Sequence, residues 1–396
     1  MKFKDLIGVD AQGAGAEGGA MQTLVGQLVA SIREERLPHA QMFLGPEGNG
    51  GVPLALAFAQ FLNCENPSEH DSCGVCPSCI KSQKFIHPDI HFAYPILTVL
   101  SGPKSQQRHK SLDWLPTWRE ALNENPYQGY VEWSNRMQGE LGGSNKQGNM
   151  PAAECADILR KLHLKTFEGK YKVLILWLPE YLGKEGNRLL KLIEEPPPDT
   201  VFLFVAEDLD RILNTIISRT QILRVPRFQA EEIEGFLEAT YELEDGMATQ
   251  IAALAEGNSQ QALRLLEADS LDQEDTAFIP WLDSVIRWQI LSISGWQDTF
   301  AKLGREKQKN FFRLALHEVR EAYLESLASG TGKNPDIRER AHYLNASGWG
   351  ALAEDIGKAQ GYIERNANPR IVMWNLAIRT SRRIQEYQIA KASSNS

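Results

Sequence analysis

The run Gly45-Pro46-Glu47-Gly48-Asn49-Gly50-Gly51-Val52 narrows this chain most. It follows the apolar Met42-Phe43-Leu44 and precedes an apolar stretch from Leu54 to Leu62. Strand, glycine-rich loop and helix in that order are the frame of a P-loop, whose backbone N–H groups cradle phosphates. A working P-loop places Lys after its last glycine, to reach the β- and γ-phosphates, and then Ser or Thr for Mg²⁺. Gly51 and Val52 hold those two places here. The frame predicts an α/β fold around a nucleotide site that has lost its working side chains. A chance glycine-rich turn is the plain alternative.

A second position tests that choice. Phosphate hydrolysis on this frame needs another apolar strand ending in Asp-Glu, one carboxylate for the metal and one for the attacking water. Val173-Leu174-Ile175-Leu176 supplies such a strand, but Trp177 and Leu178 follow it. Glu180 comes two positions late, after a proline. Loop and strand fail independently, which favours a degenerate nucleotide site over a random turn.

Cys64, Cys73, Cys76 and Cys79 form C-x8-C-x2-C-x2-C. Thiolates this close can wrap one tetrahedral Zn²⁺, with Zn–S near 2.3 Å. Lys2, Lys4 and Asp5 interrupt any apolar run at the N-terminus, so no signal peptide is expected. A reducing compartment, the cytoplasm by default, then makes clustered thiols a metal or redox site. A redox pair would leave two cysteines idle. Structural zinc is the expectation, with an iron–sulfur cluster as the alternative. His70 and His87 lie nearby, but four sulfurs complete the shell. Cys155 reads as ordinary packing in a helix.

A length of 396 residues suggests two or three domains. The hydrophobic fraction of 42% is ample for a core, and no apolar run reaches the ~20 residues of a membrane span. A net charge of −9 argues against wholesale wrapping of DNA.

Strand-like and helix-like segments alternate as far as residue 225, which predicts a parallel sheet. Residues 11–20 read as a flexible lead-in. Residues 95–150 hold four prolines, Trp114, Trp118 and Trp133, and a Gly-rich end from Gly139 to Gly148. They read as an insertion that packs its aromatics on the surface of the main domain and ends in a mobile loop. Pro151 opens a helix with Asn149 as its cap, and further helices are expected at Asn187–Glu194 and Leu209–Ile217. After Pro226 every segment has helical period. The tail from Ala392 reads as disordered.

Three features together carry a resemblance. One is the run Asn187-Arg188-Leu189-Leu190-Lys191-Leu192-Ile193-Glu194-Glu195-Pro196-Pro197. The second is Thr215-Ile216-Ile217-Ser218-Arg219-Thr220. The third is the cysteine module placed after the loop helix, with His87-Pro88-Asp89 behind it. The combination resembles the AAA+ clamp-loader family over about 1–85 and 150–265. The resemblance implies an AAA+ α/β domain over 1–225, with the zinc module at 64–79 and the insertion at 95–150. It further implies a helical lid over 226–272 and a helical collar over 273–396. It also makes Arg219, supported by Ser218, an arginine finger that acts in trans on ATP held by a neighbouring subunit. Guanidinium suits that task because it is permanently charged and forks onto phosphate oxygens. Thr220 stands where the family usually has Cys. The lid segment that carries a sensing Arg in the family's motor subunits has Gln260 instead, in Gly257-Asn258-Ser259-Gln260-Gln261-Ala262-Leu263. In the last helix, Ile371, Trp374 and Ile378 share a face that suits collar packing, and Arg379, Arg382 and Arg383 read as a solvated face.

The implied function is a non-hydrolysing clamp-loader subunit with structural Zn²⁺ and without ATP. Its partners would be the motor ATPase subunits and the delta subunit of a ring, and through them a sliding clamp and primed DNA. An active clamp-loader ATPase and a free-standing zinc-dependent nucleic-acid binder are the competing readings.

Overall fold

Five strands form one wholly parallel sheet: β1 (Ala40–Leu44), β2 (Ile90–Ala93), β3 (Lys172–Trp177), β4 (Thr200–Ala206) and β5 (Gln221–Arg224). Their order across the sheet is β2-β3-β4-β1-β5. Ala40 pairs with Phe202, Gln41 with Gln221, Lys172 with Thr200 and Ile90 with Val173. This computed structural model describes residues 1–9, 19–99, 109–141, 148–243, 246–267, 278–303, 305–327, 339–365 and 367–394. The expected lead-in therefore lies almost wholly outside the described residues.

Every residue of β3 and β4 is buried. That is why both read as unbroken apolar runs: helices cover the two faces. After a first helix, α1 (Ala20–Arg33), one face receives α2 (Gly51–Leu62), whose twelve residues are all buried, with Phe58 against Phe43 at 6.2 Å between ring centres. The other face packs Met42, Leu174, Phe202 and Phe204 against Cys155, Ile158 and Leu162 of a helix at Ala152–Leu162 and against Leu192 and Ile193.

Several local expectations change. Asn149 does not cap the helix at Ala152–Leu162. It exchanges both backbone hydrogen bonds with Ile96, at 2.9 and 3.0 Å, and Pro151 holds the cap position. The segment before β4 is 3₁₀ over Pro179–Leu189, kinked at Gly183 with φ +49°, and the expected helix is α-helical only over Leu190–Glu194. The single helix expected at Leu209–Ile217 is a 3₁₀ turn at Leu209–Arg211 and a helix at Asn214–Ile217. Ala392 to Ser394 continue the last helix.

In the described part of the segment between Ile96 and Asn149 the tryptophans are buried, and the expected mobile loop falls mostly outside the described residues. The described part forms helices at Leu115–Glu124 and Tyr130–Glu140. Trp114, Trp118 and Trp133 are buried. Trp118 stacks on Tyr94 at 4.2 Å and Trp133 meets Trp118 edge-on at 5.0 Å. Burying four large rings in one cluster makes a core of its own.

The chain divides into two compact units, Met1–Leu263 and Arg264–Ser396. Helices at Ala230–Thr240 and Met247–Ala255 belong to the first. The second is built from helices at Phe278–Ile286, Ile290–Lys302, Arg305–Leu327, Ala346–Glu364 and Pro369–Ser394. Trp281, Phe300, Phe311, Trp349 and Met373 lie at its centre.

Candidate functional site

The glycine-rich loop makes the turn its sequence requires. Gly48 and Gly50 both have φ +77°, a left-handed conformation that favours glycine, and Gly50 caps α2. Asn49 is buried and its Oδ1 accepts the Gly51 N–H at 2.9 Å. A cradle of N–H groups is thus present in form, but its space is taken. A Cβ on Gly48 would lie 1.8 Å from Asn258 Oδ1, and one on Gly50 would lie 2.7 Å from the Phe228 ring. Ser259 donates to the Gly48 carbonyl. What remains above the loop is a cavity of about 20 Å³, lined by loop residues and by Tyr127, Gln128, Trp177, Glu207 and Gln260. That is room for about one water.

Trp177 ends β3 where an acidic pair would stand, and its ring lies 5.3 Å from that of Trp118. Glu180 is buried, and its Oε1 accepts the N–H groups of Glu207 and Asp208 at 2.6 and 2.8 Å. Burial pushes its carboxyl upward against those bonds. It fastens the end of β4.

Arg219 follows the helix at Asn214–Ile217. Its Nε donates to Glu194 Oε1 at 2.5 Å, and a second guanidinium nitrogen pairs with the same carboxylate. A third donates to the Thr215 carbonyl at 2.7 Å and to Ser218 Oγ at 3.2 Å. The Arg219 side chain is 32% exposed, so the charge is held in place yet reachable from outside. Sequence reasoning placed Glu194 in a recognisable run but did not foresee its bond to Arg219.

Comparison with known proteins settles the family. A model described as DNA polymerase III, delta subunit matches residues 20–229, more than half of the chain. The chain belongs to that family. It is 27% identical over 247 residues to DNA polymerase III subunit delta' of Bacillus subtilis (strain 168), covering 62% of this chain and 58% of that one. It is 23% identical over 338 residues to subunit delta' of Escherichia coli (strain K12), covering 83% and 84%. DNA polymerase III subunit gamma of Buchnera aphidicola subsp. Acyrthosiphon pisum (strain APS) is 24% identical over 238 residues, covering 59% and 52%. The chain thus spans little more than half the length of the Buchnera and Bacillus relatives. It is a delta-prime-like clamp-loader family member with a parallel α/β domain and a helical C-terminal part, as the resemblance implied.

In this DNA polymerase III family member the four cysteine sulfurs all lie within 4.8 Å of one another. Four ligands at about 2.3 Å around one tetrahedral ion would stand ~3.8 Å apart, and Cys73 Sγ lies 3.9 Å from Cys79 Sγ. Backbone N–H groups of Cys73, Cys76 and Cys79 point at the sulfurs of Cys64, Cys73 and Cys76. The N–H groups of Val75 and Cys76 hold the Cys73 thiol down to about 6, against the effect of burial. Burial pushes Cys64 and Cys79 up. The donor set fits a structural metal ion. Cys155, by contrast, is buried alone in the sheet's helical cover.

His87 and Asp89 are structural. The Asp89 carboxylate accepts N–H groups from Phe167, Glu168 and Gly169 at 2.6 to 2.9 Å, which ties the turn before β3 to the start of β2. In the last helix, Arg379 and Arg383 both pair with the buried carboxylate of Asp355, so they are not a free cationic face. Arg382 pairs with Glu386. Ile371 and Ile378 are 68% and 52% exposed, whereas Trp374 packs against the helical core. No helix among the described residues is long and apolar enough to cross a membrane.

Proposed function

We propose that this chain is a non-hydrolysing, delta-prime-like subunit of a clamp loader, and that Arg219 serves ATP bound by a neighbouring motor subunit. One contrast carries the reading. The chain's own glycine-rich loop is closed down to a cavity of about 20 Å³, while the Arg219 guanidinium, held by Glu194 and Thr215, stays partly exposed at the surface. An arginine finger is worth ~10³–10⁵ in phosphoryl-transfer rate, so such a residue repays keeping where the local loop does not. The cysteine module would hold Zn²⁺ as a structural ion. The exposed Ile371 and Ile378 would serve the helical collar that joins the ring, alongside motor subunits and a delta subunit, in the cytoplasm. The ring would act on a sliding clamp and primed DNA.

Two measurements test this. Calorimetry of the isolated chain should show no micromolar Mg-ATP site; finding one would favour an active ATPase of the gamma type. A ring reconstituted with Arg219→Ala should assemble normally but lose part of its DNA-stimulated ATP hydrolysis and clamp loading. Unchanged rates would remove the trans role. High-affinity DNA binding by the chain alone would favour the free-standing zinc-dependent binder.

A further inference from the structure

The turn joining the two helices of the 109–141 segment, through Pro126, Tyr127 and Gln128, lines the small cavity above the glycine-rich loop. Tyr127 is buried there, and its hydroxyl oxygen accepts the N–H of Ile7 at 3.0 Å. Its ring lies 6.4 Å from Phe228 and 5.7 Å from Phe236 of the helix at Ala230–Thr240. A Cβ on Gly50 would come within 3.4 Å of Tyr127 Cε1, so the ring also covers the loop. Two residues on, Gly129 faces Gln260: a Cβ there would sit 2.1 Å from Gln260 Oε1. Gln260 is the residue that replaces a sensing Arg, and here it turns toward the segment. Gln128 Nε2 and Gln260 Oε1 are both buried without a partner among the described residues, and both residues line a small cavity at the loop. The segment is braced from behind by Trp118 on Trp177 and is closed at its base by Ile96 and Asn149.

We propose that this segment is a built-in occupant of the nucleotide pocket, with Tyr127 bolting the helices at 230–263 to the sheet where a bound ligand would otherwise join them. A nucleotide could be exchanged or hydrolysed; a covalently attached turn cannot. The helices at 230–263 are therefore kept in one arrangement whatever the nucleotide concentration. The role concerns the chain itself and does not depend on its place in a ring.

Hydrogen exchange on the full-length chain tests it. Tyr127→Ala should speed amide exchange across 230–263 by about tenfold or more while β3 and β4 stay protected. Exchange there within about twofold of the parent would overturn the proposal. If Tyr127→Ala also unprotects β3 and β4, Phe236→Ala removes the same contact from the other side and carries the same two outcomes. Millimolar Mg-ATP should leave exchange across 230–263 of the parent chain unchanged. Added protection on ATP would mean the pocket opens to nucleotide, and would overturn the proposal equally.

Discussion

Ser259 bonds to the carbonyl of Gly48 twice, through its backbone N–H at 3.0 Å and through its hydroxyl at 2.8 Å. Ser259 is buried at this contact. A loop shaped to receive phosphate oxygens on its N–H side is here gripped by its own chain from the carbonyl side.

Removing that hydroxyl should therefore be felt. Ser259→Ala should destabilise the chain by about 1 kcal/mol, the usual net worth of a buried neutral hydrogen bond. Urea unfolding followed by tryptophan fluorescence would show a lower midpoint with an unchanged slope. An unchanged midpoint would mean the bond is replaceable.

Asp89→Asn should cost more, about 2 kcal/mol near neutral pH, because a charged acceptor of three N–H groups loses one oxygen and its charge. Burial works against the Asp89 carboxylate, yet the N–H groups of Glu168, Gly169 and Phe167 hold its titration below the usual value. A depressed carboxyl stabilises the fold above its unfolded titration range and loses that contribution as pH falls through the folded value. The gap between parent and variant should accordingly narrow in acid. A gap constant from neutrality to below pH ~3 would contradict the charge argument.

His91 gives a second pH dependence. Burial, aided by Lys161, pushes its imidazole down to about 4. Between the ordinary value near 6.5 and that folded value, the unfolded chain binds a proton that the native chain does not. Stability should thus fall as pH drops through this window. His91→Gln should flatten the slope there, and the difference between the two stability curves separates this group from every other acid-sensitive one. Parallel curves would show that His91 titrates normally.

Cys76→Ser should abolish stoichiometric zinc, measured by elemental analysis, while far-UV circular dichroism stays near that of the parent. A zinc ion there would order a local loop, and the sheet core is large enough to persist without it. Iron in the parent, or full zinc in the variant, would overturn the assignment.

The sheet was legible because β3 is apolar from Val173 to Trp177 and β4 from Val201 to Ala206, the pattern of strands buried on both faces. The cysteine cluster was legible because its spacing is local. Trp177 was recognised as the loss of an acid, but not as half of a contact with Trp118, since nothing local links positions so far apart. Trp114 and Trp118, one helical turn apart, were a signal of a buried face that the prolines around them obscured. Asn258 and Ser259 carried no signal: their place at the loop is set by how a distant pair of helices folds back. Ile371, Trp374 and Ile378 share one face by spacing alone, yet Trp374 packs inward while Ile371 and Ile378 are exposed, a difference that helical period does not reveal.

The strand order also bears on how the chain comes into being. β1 joins β4 on one side and β5 on the other, and both are made long after it. During synthesis β1 emerges with two bare edges, the kind of surface that invites pairing with the wrong partner. The loop helix α2, the cysteine module and the tryptophan-rich segment all appear in the interval. β1 therefore waits for Thr200 to Arg224 to complete the sheet, and such distant pairings are the slow step in folds of this kind.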